Sequence, residues 1–239
     1  MSFCLILLAG GNSDRFKSNL AKPYHKIAGK TLIEISLKKM SDFRQIKKTV
    51  VVFNQKHLKE LKKINIKNVK LIRGGHSRQQ STLNALKYLS KQKGIQNVLI
   101  HDAARPNFSL KLIMKIIKNM KNARAVIPTI EIQDAIKQKY ENGKFEYIIG
   151  KERDDLFLTQ TPQCFKLNEI THLHKINKNK YRDDDISLLM DLNKVKFING
   201  EKNNFKITDE ADLKNLKKIY KSKISVGIGF DVHRLVPKR

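Results

Sequence analysis

Residues 3–16 read Phe3-Cys4-Leu5-Ile6-Leu7-Leu8-Ala9-Gly10-Gly11-Asn12-Ser13-Asp14-Arg15-Phe16. Phe3–Leu8 is a short apolar run closed by small residues and a glycine pair, the pattern of a buried strand opening into a tight turn. The same arrangement recurs down the chain. Further strands are expected at Thr49–Phe53, Val69–Ile72, Val98–His101, Arg124–Pro128 and Val195–Ile198. Between them lie segments of helical period: Leu32–Met40, Lys56–Ile64, Arg78–Lys91, Leu110–Met120, Leu167–Lys175 and Asp209–Tyr220. Thr31 and Glu34 are spaced as a capping box for the first of these helices. Strand–helix alternation of this kind predicts an α/β fold, a mostly parallel twisted sheet flanked by helices.

Two stretches break the alternation. Residues 130–153 carry Glu141-Asn142-Gly143 between extended-looking segments at 135–140 and 145–149, which predicts a β-hairpin arm protruding from the body. Residues 224–239 begin like a fresh strand after the last helix. The expected division is a main domain over 1–222 and a separate stretch over 223–239.

The chain has 239 residues, 40% of them hydrophobic, enough for one large domain with a substantial core. No apolar run approaches the ~20 residues that span a bilayer, so no membrane association is expected. The N-terminus lacks the basic region of a signal peptide, and two cysteines make neither a disulfide framework nor a four-cysteine zinc site. A cytoplasmic location follows as the expectation. Lys and Arg number 49 against 22 Asp and Glu, a formal net charge of +27. These cations are dispersed among Asn and Ile with no basic block, so no nucleic-acid partner is expected. A positive field also draws small phosphorylated substrates.

In parallel sheets, ligands bind outside the carboxyl ends of the strands, so the loops there carry the chemistry. After the first strand come Ala9, Gly10, Gly11 and Arg15, then Lys22. Small residues let backbone amides approach an anion, and the two cations could neutralise phosphate. The spacing is neither a dinucleotide fingerprint nor a Walker loop. The third strand runs into Gly74, Gly75, Arg78 and Ser81 at the start of a helix, a setting suited to an anion or the polar edge of a base. The fourth ends in His101-Asp102-Ala103-Ala104-Arg105-Pro106, where Asp102 is placed for Mg²⁺ and Arg105 for a phosphate or for orienting Asp102. A plain turn or a structural Asp–Arg pair would explain any one of these loops alone.

The three loops in this order resemble the 2-C-methyl-D-erythritol 4-phosphate cytidylyltransferase family, whose A-[AG]-G-x-x-x-R loop, G-G-x-x-R-x-x-S turn and H-D-A-A-R-P hexapeptide match 9–15, 74–81 and 101–106. Arg153, Thr161-Pro162-Gln163, Asp184-Asp185-Ile186-Ser187 and Asn204-Phe205-Lys206-Ile207-Thr208 extend the resemblance over roughly 3–220. The resemblance implies a Rossmann-like nucleotidyltransferase fold that transfers CMP from CTP to methylerythritol phosphate with Mg²⁺. Ala9, Gly10, Gly11, Gly74, Gly75, Arg78, Ser81, Asp102 and Arg105 would surround the nucleotide, with Ser81 reading cytosine and Asp102 on the metal. Arg15, Lys22 and Lys206 would act on the phosphates, and Arg153 with Asp134 would bind the sugar phosphate. The resemblance also implies, through the arm, a homodimer with composite sites. The family usually has Thr after the arm's Asp; here Asp134 precedes Ala135, and that hydroxyl is missing.

Ile228–Arg234 resembles the opening of 2-C-methyl-D-erythritol 2,4-cyclodiphosphate synthase. Asp231 and His233 would be two of its zinc ligands, and Zn²⁺ would bind only were that domain complete. The expectation is a fragment of a fused enzyme or a gene that has lost its second half. Another polyol phosphate, such as ribitol 5-phosphate, is the alternative substrate; a basic nucleic-acid-binding protein and an inactive scaffold are the alternatives of other classes. Cys4, and Leu110, Ile113, Ile117 and Met120, read as core; Cys164, His172 and His174 receive no chemical role.

Overall fold

The computed structural model describes residues 1–11, 16, 20–64, 68–139, 145–147, 155–178 and 183–221. Its centre is strand β1 (Phe3–Ala9), whose alternate side chains enter two different cores. Cys4 and Ile6 face one side of the sheet, and Phe3 and Leu5 face the other, as a period of two requires. Both faces are covered, which is why the run is apolar without alternation.

A small hairpin, β2 (Lys26–Ile27) and β3 (Lys30–Thr31), leads into helix α1 (Leu32–Ser41). The capping box forms: Thr31 Oγ1 accepts from the Glu34 amide, and the Glu34 carboxylate accepts from the Thr31 amide. Then follow β4 (Ile46–Phe53), the short α2 (Leu58–Lys62), β5 (Val69–Arg73), α3 (Arg78–Leu89), β6 (Asn97–Asp102) and α4 (Leu110–Asn119). Strand β7 (Ala125–Glu131) precedes a two-stranded arm, β8 (Lys137–Lys139) paired antiparallel with β9 (Phe145–Tyr147). The expected hairpin is therefore present, while its Glu141-Asn142-Gly143 turn lies outside the described residues. The chain closes with β10 (Phe157–Thr159), β11 (Gln163–Lys166), α5 (Leu167–Ile176), β12 (Val195–Asn199) and α6 (Glu210–Lys221).

Strands β7, β6, β1, β4, β5 and β12 belong to one sheet in which β1 pairs parallel with both β4 and β6, β4 with β5, and β12 with β7. Strands β10 and β11 run antiparallel along one edge of β7, and β11 also pairs with β6, filling the gap between the two. Neither was expected from the sequence, because the run is short and is interrupted at Gln160-Thr161-Pro162. Helices α3 and α5 cover one face through Ala85, Leu86, Leu89 and Ile170. Helices α1 and α4 cover the other through Met40, Leu112, Ile113 and Ile116. On α4 the expected core stripe needs one correction: Ile113 and Met120 are buried, but Leu110 is 42% exposed, and Leu112 and Ile116 fill the core. Leu110 opens the helix, before the buried face has turned toward the sheet.

Candidate active site

The carboxyl ends of β1, β5 and β6 meet at a cavity of about 320 Å³. Gly10 and Gly11 form one wall, the turn from Gly75 to Ser81 another, and Asp102, Lys22 and Lys206 reach in. Lys22 opens a single turn of 3₁₀ helix whose Pro23 and Tyr24 are buried, so its backbone is anchored from below.

The second wall shows why glycine stands there. A Cβ on Gly75 would come within 2.1 Å of Gln80 Cγ, and one on Gly74 within 2.9 Å of Ser81 Oγ. The absence of side chains lets the Gly75 amide donate to Ser81 Oγ at 3.0 Å and the Gly74 amide to the Phe53 carbonyl at 2.8 Å. The turn is thus folded back onto the first turn of α3, whose N-terminus is capped by Ser77 Oγ accepting from the Gln80 amide. Ser81 accepts that bond, so its hydroxyl proton is left to point elsewhere.

Asp102, at the end of β6, holds the centre. Its Oδ1 accepts from Arg78 Nε at 3.3 Å, and its Oδ2 lies 2.9 Å from Lys206 Nζ. Burial alone would raise this carboxyl, but Arg78, Lys206 and the more distant Arg105 hold it well below the usual carboxylate range. It is an anion at any ordinary pH. Arg78 is also paired on its far side: Nη2 meets Asp185 Oδ2 at 2.8 Å, and Asp185 Oδ1 lies 3.0 Å from His174 Nε2. Burial would weaken the charge on Arg78, yet the two carboxylates more than offset it and push its pKa up.

Lys206 arrives from the loop after β12, and that loop is fastened to the β6 end by hydrogen bonds. Arg105 donates to the Asn204 carbonyl at 2.9 Å, Asn204 Nδ2 to the Thr161 carbonyl at 2.9 Å, and the Ile207 amide to the Ala104 carbonyl at 2.8 Å. Glu201 accepts from the Ser109 amide at 2.8 Å, tying the same loop to the start of α4. Below Asp102, His101 is fully buried. Its Nε2 faces the Arg105 carbonyl at 3.0 Å, so that nitrogen must donate; Nδ1 then accepts from Thr161 Oγ1 at 3.0 Å. Thr161 Oγ1 in turn accepts from the Asp102 amide at 3.1 Å, which fixes the backbone of the carboxylate. Burial, with Arg105 and Lys39 adding to it and Asp102 opposing, pushes the His101 pKa down to about 3, so the ring is neutral.

Of the residues singled out from sequence, Gly10, Gly11, Lys22, Gly75, Arg78, Ser81, Asp102 and Lys206 line this cavity, while Gly74 sits just behind it. Ala9 is buried at the end of β1. Arg105 donates to the Asn204 carbonyl and acts on the Asp102 carboxylate through its charge. Asp134 is exposed at the root of the arm, away from this cavity's lining. Arg15, Arg153, Asp231 and His233 lie outside the described residues. Sequence reasoning gave no role to His174, Asp185, Thr161 or Asn204. Asp185 and Thr161 stood in quoted motifs, but only the fold shows what they touch.

A carboxylate anion paired with two cations, beside walls of backbone amides, can hold a polyphosphate and stabilise charge that shifts between its oxygens. Among the described residues there is no nucleophile–base pair at the cavity, and Cys4 and Cys164 are buried thiols whose pKa burial pushes up.

The family model described as IspD: 2-C-methyl-D-erythritol 4-phosphate cytidylyltransferase matches residues 3–222. The bifunctional enzyme IspD/IspF of Pelagibacter ubique is 44% identical over 240 residues, covering 100% of this chain and 62% of that protein. The chain therefore spans about three-fifths of the length of such bifunctional relatives. The 2-C-methyl-D-erythritol 4-phosphate cytidylyltransferase of Thermosipho melanesiensis is 35% identical over 215 residues, 87% of this chain and 93% of that one. The crystal structure of 4-diphosphocytidyl-2C-methyl-D-erythritol synthase from Anaerococcus prevotii superposes with a TM-score of 0.75 at 26% identity, covering 92% of this chain and 96% of the other.

Proposed function

The chain belongs to the 2-C-methyl-D-erythritol 4-phosphate cytidylyltransferase family, and from that membership we propose that it transfers CMP from CTP to 2-C-methyl-D-erythritol 4-phosphate. The observation that carries this reading is Asp102 held between Arg78 and Lys206 at the mouth of a cavity walled by two glycine turns. The products are 4-diphosphocytidyl-2-C-methylerythritol and pyrophosphate.

In this reading an oxygen of the sugar phosphate forms a bond to the α-phosphorus of CTP as the bond to the bridging oxygen of pyrophosphate breaks. A phosphomonoester dianion is already a nucleophile, so no general base is needed, and neither substrate changes oxidation state. The protein's work is positioning and charge stabilisation. The amides of Gly10, Gly11 and the turn between Gly75 and Gln80 take the nucleotide, and the hydroxyl of Ser81 reads the base. Lys22 and Arg15 neutralise the triphosphate, and Lys206 approaches the α-phosphate as charge builds there. Arg153 and Asp134 serve the sugar phosphate, with Arg153 pairing its dianion. The exposed position of Ala135 supplies no hydroxyl to assist them.

Among the described residues no group of three or more His, Cys, Asp or Glu side chains is arranged to hold a metal. A nucleotide-borne divalent cation does not need one, since Mg²⁺ takes one or two carboxylates with phosphates completing its shell. The ionised, pocket-facing Asp102 fits that demand and would hold the ion, which would add charge neutralisation at the phosphates. Other features support further parts of the reading. The β8–β9 hairpin is suited to crossing into a second copy and building a homodimer. The buried free thiols suit a reducing, cytoplasmic compartment, and no described helix is long and apolar enough to cross a membrane. The family match ends at residue 222, which supports a boundary there, and the likeness to a bifunctional relative extends over the whole chain.

The test is substrate choice. Purified chain with Mg²⁺ should consume CTP with methylerythritol phosphate and spare ribitol 5-phosphate; consumption with ribitol phosphate alone would keep the chemistry and replace the substrate.

A further inference from the structure

The chain of contacts behind the cavity ends in a carboxylate that no substrate can reach. Asp185 is 1% exposed, as is its partner His174. One oxygen of Asp185 faces His174 Nε2 at 3.0 Å and the other faces Arg78 Nη2 at 2.8 Å. Burial works against this charge, yet Arg78 and His174 keep the carboxyl below its usual range. A buried ion pair is seldom there for stability, since an apolar pair of similar volume serves the core as well or better. Its geometric consequence is more specific.

Arg78 is 25% exposed at its side chain and stands in the first turn of α3, facing the cavity. Left to itself, a guanidinium there would swing onto the nearest phosphate. With Nη2 ion-paired to Asp185 Oδ2 at 2.8 Å, its Nε edge is turned toward Asp102 Oδ1. Asp102 is then fixed on that oxygen, on its backbone amide by Thr161, and on its other oxygen by Lys206. Movement of Arg78 would release one of those three holds.

Resting on the function proposed above, we propose that Asp185, braced by His174, is a positioning residue that acts through Arg78 to set the place of Asp102 and hence of Lys206. It touches no substrate.

The test is a double-mutant cycle on the full chain with Asp185→Asn and Arg78→Lys, read as kcat and as the CTP dissociation constant from calorimetry. Asp185→Asn should lower kcat by between about tenfold and about a hundredfold, the scale of a small misplacement at a reacting centre. In the Arg78→Lys background the same change should cost no more than about twofold, because residues acting through one another are not additive. Asp185→Glu, which keeps the charge, should recover more kcat than Asp185→Asn. Losses that multiply, or an Asp185→Asn variant with the parent kcat, would overturn the proposal. Should Asp185→Asn fail to fold, His174→Gln enters the same cycle, with a smaller loss that vanishes in the Arg78→Lys background. Should the parent bind CTP but make no product with methylerythritol phosphate, the proposed substrate fails and the cycle is judged on CTP affinity alone. A parent that binds no CTP overturns both.

Discussion

Lys206 Nζ lies 2.9 Å from Asp102 Oδ2, although one residue closes strand β6 and the other sits in the loop after β12. The contact exists because β12 is parallel to β7 and delivers its following loop to the same end of the sheet as β6. It joins the cation expected near the α-phosphate to the carboxylate expected to carry the metal.

Asp102→Asn keeps the shape of that carboxylate and removes its charge. Its kcat should fall by about a hundredfold or more, the scale seen when one charge-stabilising group is lost. Far-ultraviolet circular dichroism should be unchanged. A variant with near-parental turnover would remove Asp102 from the centre of the site.

Arg105 acts at one remove. Arg105→Ala deletes the donor to the Asn204 carbonyl, a charge-assisted bond of roughly 1.5–3 kcal/mol. The melting temperature should drop by several degrees, and kcat should fall because the Lys206 loop is loosened. Loss of CTP affinity with no change in melting temperature would instead place Arg105 on the nucleotide.

Gly75→Ala should weaken CTP binding by about tenfold or more, since a Cβ there meets Gln80 Cγ at 2.1 Å and the turn must open. Isothermal titration with CTP reads this directly; unchanged affinity would show that the turn does not hold the nucleotide.

Acid should unfold the protein through His101. Its ordinary pKa of 6.5 is pushed down to about 3 in the fold. Well above pH 6.5 the ring is neutral in both states and contributes no pH dependence. As pH falls from 6.5 toward 3, the unfolded chain binds a proton that the folded chain refuses, so stability declines, by on the order of 1.4 kcal/mol per pH unit once well below 6.5. Asp102 and Asp185, whose pKa values are lowered, lose stability in the same direction below the ordinary carboxylate value near 3.8. Denaturant titrations at pH 7, 5.5 and 4 should show the decline, and His101→Gln should flatten it. Equal slopes in parent and variant would contradict the buried neutral ring.

Much of this was legible because it is local. Strands β1, β4, β5, β6, β7 and β12 announced themselves as apolar runs, and the loops that follow β1, β5 and β6 carried their glycines, Arg78 and Asp102 in recognisable order. What was not legible is tertiary. β10 and β11 are three and four residues long, with Gln163 opening β11; they become strands only through tertiary pairing, β11 in the slot between β6 and β7 and β10 along β7. His174 looked bland because nothing on its own helix partners it; Asp185, from the turn beyond α5, does. Arg105 reads as a residue for a phosphate or for orienting Asp102, and no local pattern reveals that its guanidinium also reaches the Asn204 carbonyl.

The most direct test is phosphorus NMR of the full chain with CTP, Mg²⁺ and 2-C-methyl-D-erythritol 4-phosphate. The account predicts that the sugar-phosphate resonance is replaced by the paired signals of a diphosphate diester, with pyrophosphate appearing in equal amount. CTP left intact, or pyrophosphate released without the diphosphate diester, would contradict it.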